Sequence, residues 1–387
     1  MKVKPYHSMF KREREEIRMT IDALDFYYVA HPLKEPWTTA YGSDDTIHSV
    51  LTCMTSGSVT AWSESSPLYA PTYSPECAIS VFEVASRFLA PMVLHQSFES
   101  AEAINQAIEP IKGNPFAHAA IEMAWWVLQS AMTQKPLHVC LGGTSQPVAA
   151  GADFGVQSSI DRLIERIDSA FQAGFQRVKL KVKKGWDLEM LRAVRSTFPN
   201  GVFHIDCNSG YSLEKDWPFF KAIDPLGLAM IEQPLYHADV IDHAELQRRM
   251  QTPICLDESI NSVYMAEKAI DLKACRFINI KPGRVGGLYN TLIINKLCMS
   301  AGVGNWIGGM LESAVGAGIC IECATLPNMT YPNDLFPSDN YYEEELSKER
   351  IELSAPGQML PSQRFGNPFI PDPDVLKKRT IRQVHCE

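Results

Sequence analysis

No apolar run in this 387-residue chain approaches the roughly 18 residues that a membrane-spanning helix requires, so no membrane span is expected. The basic start, "MKVKPYHSMFKREREEIR", is followed by no apolar stretch that could act as an export signal. Positive charge is in deficit: 36 Lys and Arg stand against 45 Asp and Glu, a formal net charge of −9. With no basic stripe interleaved with aromatics, nucleic acid is excluded as the main partner. No G-x-G-x-x-G marks a first nucleotide-binding turn. The ten cysteines lie mostly inside apolar runs, as buried free thiols do, and with no export signal they point to a reducing cytoplasm. The one close pair, Cys320 and Cys323 in "GICIECATLP", has no further ligands nearby and reads as part of an apolar helix.

What is present falls into two textures. Up to about residue 145, "MTIDALDFYYVAHPL" and "HSVLTCMTSGSVTAWSESSP" read as strands with a turn at Ser56-Gly57-Ser58, separated by a polar loop, "KEPWTTAYGSDD". Three helical patterns follow, which together give a small α+β unit over residues 1–145. From there the chain alternates short apolar strands with helices at about 25 residues per unit. The strands are "PVAAGADFG", "RVKLKV", "VFHIDCN", "GLAMIEQP", "PICLDES", "FINIKPG", "NWIGGM" and "NMTYP". Such repeats mean parallel strands with helical crossovers, and eight units fit a closed barrel better than an open doubly wound sheet. We place the barrel over 146–350 and read 351–387 as a segment packing back toward the first unit.

In such a barrel, active residues belong at the C-terminal ends of the strands. Asp206, Glu232, Asp257 and Lys281 lie about 25 residues apart, one per unit, each where the apolar run stops. Three carboxylates converging on one rim would repel, and a divalent cation removes that difficulty. All-oxygen ligands favour a hard ion, Mg2+ first, with Mn2+ as a substitute. Lys179 and Lys181 share one face of the second strand, opposite Val178, Leu180 and Val182. Lys181 and Lys281 approach the axis from opposite sides, leaving room between them for a small carboxylate substrate. An α-proton beside a carboxylate is weakly acidic, so its removal needs a cation and a neutral base. Burial, the cation and the neighbouring Lys179 all disfavour the ammonium form of Lys181, which makes it the base and Lys179 the group that tunes it. Lys183 lies past the strand end and reads as solvated.

The stretches "KLK" at 179–181, "DCNSGY" at 206–211, "IEQPL" at 231–235, "CLDES" at 255–259, "NIKPGRVGG" at 279–287 and "GGMLESAVG" at 308–316 resemble the enolase superfamily. Within it they are most similar to the muconate-lactonizing subgroup and its o-succinylbenzoate synthase / N-succinylamino acid racemase family. The resemblance implies a (β/α)7β TIM-like barrel with an N-terminal α+β capping domain, and a homo-oligomer. It implies metal ligands Asp206, Glu232 and Asp257, a base at Lys181 assisted by Lys179, and a second acid/base or stabilising lysine at Lys281. Around these it places Asn208, Glu258 near Lys281, and Arg284, which matches an arginine of the racemase-capable branch. Gly309, Met310 and Glu312 would position the distal part of the substrate, and "KEPWTTAYGS" would be the lid. "DCNSGY" and "HVCLGG" depart from the common family forms, although neither removes a chemical group.

In the synthase reaction that the resemblance implies, a succinyl-cyclohexadiene carboxylate loses water and aromatises to a menaquinone precursor. In the racemase reaction the two lysines exchange protons on opposite faces of an N-acylamino acid. A dipeptide epimerase is disfavoured because "MTYPNDLF" offers only Asp334 where that group has Asp-x-Asp. A muconate cycloisomerase shares the lysines but fits the later segments less well. A non-catalytic binding barrel would have lost a ligand or a lysine, and all five are present.

Overall fold

Period-two alternation in the first strands builds an antiparallel sheet with one apolar face. A computed structural model describes residues 18–387; the rest of the charged leader lies outside the described residues. Strands Ala23–Thr38, Ser43–Ser56 and Val59–Ser65 pair in sequence, and the C-terminal strand Thr380–Cys386 joins the outer side of the first. Ser56 pairs with Val59, so Gly57 and Ser58 form a two-residue turn in which Gly57 takes φ +56°, a conformation that costs glycine little.

The polar loop expected over "KEPWTTAYGSDD" is largely strand. Trp37 pairs with Asp44 and Thr38 with Ser43, which leaves a tight turn closed by Thr39 N–H donating to Gly42 O at 2.8 Å. Polar composition suggested a loop because hydropathy registers burial, whereas a protruding hairpin is held by backbone hydrogen bonds that any side chain permits. Thr38 O also accepts from Val156 N at 3.2 Å, which docks the hairpin on the barrel rim.

The barrel contains seven parallel strands in strict sequence order: Ala152–Phe154, Arg177–Lys181, Val202–Asp206, Ile231–Glu232, Ile254–Leu256, Phe277–Ile280 and Gly304–Ile307. The eighth position is filled by residues 329–333, bridged in parallel to Asn305 on one side and Ala150 on the other. Thr330 N donates to Asn305 O at 2.9 Å and Gly151 N to Asn333 O at 2.8 Å, so the ring closes without a regular strand there.

Helix Pro115–Thr133 lies in the first unit with Trp125 and Trp126 both fully buried. From it Glu122 reaches the N-terminus of barrel helix Leu288–Ala301, accepting from Leu288 N at 2.6 Å and Tyr289 N at 2.9 Å. A Cβ on Gly287 would lie 2.1 Å from Glu122 Oε2, so only glycine permits this contact. Glu64 does the same at helix Ala314–Cys323, accepting from Ser313 Oγ at 2.6 Å and Gly316 N at 3.0 Å. Two carboxylates thus satisfy orphan helix donors across the junction and hold the sheet unit over the barrel mouth. All ten cysteines are free, and Cys320 and Cys323 are buried in that apolar helix.

Candidate active site

The second barrel strand explains its own lysines. All of Arg177–Lys181 is buried, with Val178 and Leu180 alternating against the inward Lys179 and Lys181, while Lys183 is exposed. The inward ammonium groups meet carboxylates. Lys179 Nζ lies 3.0 Å from Asp206 Oδ2, 2.8 Å from Glu232 Oε2 and 3.0 Å from Asp334 Oδ2. Lys181 Nζ donates to Asp206 Oδ2 at 2.6 Å and Asn208 Oδ1 at 3.0 Å. Across the triad, Lys281 Nζ lies 3.1 Å from Asp257 Oδ2 and 4.5 Å from the Tyr73 ring centroid. The lysines therefore flank the carboxylates from two sides, Lys181 through the third strand and Lys281 through the fifth.

Asp206, Glu232 and Asp257 are fully buried and present oxygens all within 4.8 Å of one another. Three carboxylates so close in a protein interior suit a divalent cation by charge and by donor type. Their outer contacts fix the oxygens. Asn279 Nδ2 donates to Glu232 Oε1 at 2.7 Å, and His204 Nε2 lies 3.3 Å from Oε2. Asp257 Oδ1 accepts from Tyr73 OH at 3.0 Å and from Arg284. Asn208 and Gln233, just past their strands, adopt φ +41° and +36°, a backbone conformation uncommon for non-glycine residues and typical of functional sites.

The charge balance is uneven. Burial works against the Lys179 ammonium, but Asp206, Asp334 and Glu232 outweigh it and hold its pKa well above the ordinary lysine value. Lys281 is likewise held above it, as Tyr73, Glu232 and Glu258 overcome burial and the nearby Lys179. Glu258 is pushed up to about 7 by burial and by Asp206, and its Oε1 accepts from Asn208 Nδ2 at 3.1 Å. Lys179, Lys181, Asn208, Lys281, Gly309 and Met310 line one pocket, roofed by Trp37 and Tyr41 of the hairpin and by Tyr341.

Glu312 and Arg284 lie outside the pocket wall, Arg284 directly on the carboxylate of Asp257. Glu312 does not line this pocket; it turns back to accept from Met310 N at 2.8 Å, and burial pushes it up to about 7. Arg284 lies behind Asp257, donating from Nε to Ile260 O at 2.8 Å and from Nη2 to Asn279 O at 2.6 Å. The pocket also holds groups to which the sequence assigns no role here. Asp334 follows the eighth position as Asp206 ends the third strand, so the same periodic rule finds it, whereas Asp153 faces the pocket from the middle of the first strand, where that rule does not apply. Tyr73 comes from a loop of the first unit, and no sequence signal placed it beside Lys281.

Comparison with known proteins agrees in extent and in kind. The mandelate racemase / muconate lactonizing enzyme N-terminal domain family matches residues 23–142, and the enolase C-terminal domain-like family matches 162–371. An o-succinylbenzoate synthase of Geobacillus kaustophilus is 39% identical over 83% of this chain and 86% of its own. An N-succinylamino acid racemase of Thermus thermophilus is 37% identical over 86% and 90%. A solved enolase-superfamily member from Listeria innocua superposes with TM-score 0.90 at 30% identity, covering 95% of this chain and 99% of its own.

Proposed function

The chain belongs to the enolase superfamily, in the family of o-succinylbenzoate synthases and N-succinylamino acid racemases, and on that premise we propose that it removes the proton α to a substrate carboxylate, acting as an o-succinylbenzoate synthase. The observation that carries this reading is the pair of lysines facing one pocket from either side of a buried three-carboxylate cluster. Asp206, Glu232 and Asp257 would hold the cation, Mg2+ in the first instance. When bound, it supplies Lewis-acid stabilisation for the charge that develops on the substrate carboxylate.

The chain's own groups do the rest. Lys181 Nζ takes the α-proton, and Lys179 keeps positive charge beside it. In the synthase reaction the C–O bond then breaks, and the departing hydroxide leaves as water with a proton from Lys181 while the ring becomes aromatic. Lys281 holds charge on the far side. Trp37 and Tyr41 keep bulk water from the pocket. On this reading the product feeds menaquinone biosynthesis, and the enzyme works in the cytoplasm as a homo-oligomer.

The placement of Lys281 opposite Lys181 also supports N-succinylamino acid racemase activity, with one lysine serving each face of the α-carbon. The deciding experiment measures dehydration of the cyclohexadiene substrate beside α-proton exchange of both enantiomers of an N-succinylamino acid in D2O. We expect Lys181→Ala to abolish dehydration and exchange from one enantiomer, Lys281→Ala to abolish exchange from the other, and chelation to stop both reactions. Turnover that survives chelation, or full activity in Lys181→Ala, overturns the reading.

A further inference from the structure

The seam between the eighth and first barrel positions is held by side chains where the backbone ladder is sparse. Asn333 Nδ2 donates to Ala149 O at 3.0 Å, and its Oδ1 accepts from Ile307 N at 2.8 Å. Beside it lies the fully buried guanidinium of Arg177. Nη1 donates to Asp153 Oδ1 at 2.5 Å, while Nη2 donates to Asp334 Oδ1 at 2.7 Å and to Pro332 O at 2.6 Å. The rings of Trp306 and Tyr331 lie 5.4 and 5.5 Å from its central carbon. Gly151 makes the room: a Cβ there would stand 2.1 Å from that carbon. A planar fork clamped this way fixes the orientation of a carboxylate as an ammonium does not.

Asp334 passes that order inward. Its Oδ1 is held by Arg177, and its Oδ2 lies 3.0 Å from Lys179 Nζ. The other carboxylates on Lys179, Asp206 and Glu232, belong to the cluster assigned to the cation. Asp334 is thus the acidic partner of Lys179 outside that cluster, among the described residues. We propose that Arg177 and Asp334 are a positioning pair that sets the place of the Lys179 ammonium in the pocket, so that the barrel seam belongs to the reaction machinery. This rests on the pocket being the site of α-proton removal.

The alternative is that the pair only closes the barrel. The two roles separate in kinetics, because closure alone would show in thermal stability and not in kcat. The full chain with Mg2+ is assayed in whichever of the two reactions the wild type turns over, together with Asp334→Asn, Arg177→Lys and the double variant. For Asp334→Asn we expect kcat to fall about 10²-fold, the scale of a misplaced catalytic group, with KM and the Mg2+ half-saturation within about threefold of wild type. Arg177→Lys should lower kcat in the same direction. The double variant should be no slower than the worse single variant, since both act through one carboxylate. A kcat for Asp334→Asn within about twofold of wild type, or additive losses in the double variant, overturns the proposal. Should Arg177→Lys fail to fold, the near-isosteric Asp334→Asn still decides. A wild type that turns over neither substrate overturns the functional reading instead, an outcome distinct from an active wild type with an equally active Asp334→Asn.

Discussion

Asn279 shows how much of this site is decided one side chain behind the buried carboxylates. Its amide donates to Glu232 Oε1 at 2.7 Å, and Gly308 gives it space, since a Cβ there would lie 2.1 Å from Asn279 Oδ1. A carboxylate held this way has its orientation in the cluster fixed. Asn279→Ala should therefore weaken Mg2+ binding by roughly 10- to 100-fold, read by calorimetric titration, while the fold stays intact. Unchanged affinity would mean that Lys179 and His204, both on Oε2, suffice to orient Glu232. The lysines make the complementary point. Lys179, Lys181 and Lys183 are chemically alike in sequence, yet two are buried among carboxylates and one is exposed. Strand alternation separated the lysines from their apolar neighbours, and the strand end separated Lys183 from the other two.

Among the elements, the hairpin formed by Ala23–Thr38 and Ser43–Ser56 links the first unit to the pocket. Its tip is fastened by Lys34 N donating to Tyr341 O at 2.8 Å and by an edge-on contact of Trp37 with Tyr341 at 5.7 Å. Trp37 contributes apolar wall and no proton chemistry. Trp37→Ala should raise KM roughly 10-fold and leave kcat within about threefold, the signature of lost uniform binding. A large fall in kcat would instead assign the hairpin to the chemical step. The barrel strands are readable as elements because they are short segments rich in apolar residues that recur between helical patterns. The sequence of the hairpin tip has the pattern of a loop because its strands leave the core, and apolar alternation ceases where burial ceases.

For the whole molecule, the sheet unit and the barrel are joined through buried carboxylates at helix N-termini. Burial pushes Glu122 up to about 7, against the lowering by the Tyr289 and Leu288 N–H donors. The value in an unfolded chain is about 4.3, so the folded state binds the proton more tightly. Its stability contribution is then present at low pH and is lost as pH rises through about 7. Relative to Glu122→Gln, the wild type should lose several degrees of Tm between about pH 5 and about pH 8, read by thermal melts. A pH-independent difference between the two proteins would show that this carboxyl does not titrate in that window.

Sequence alone yields the parallel barrel, the rim on which its charges gather, and Asp206, Glu232, Asp257, Lys179, Lys181 and Lys281 upon it. Each of these is a local pattern repeated in every unit, so period and strand alternation suffice to read it. Only the tertiary structure decided that Tyr73 lies against Lys281, that Arg284 stands behind Asp257, that Glu312 turns away from the pocket, and that Arg177 reaches Lys179 through Asp334. Apart from that of Glu312 with Met310, two residues away, those contacts join residues at least 27 apart and three of them more than 150, and they depend on ring closure and on the first unit docking over the mouth. No local pattern encodes a distance that arises only when the two ends of a barrel meet.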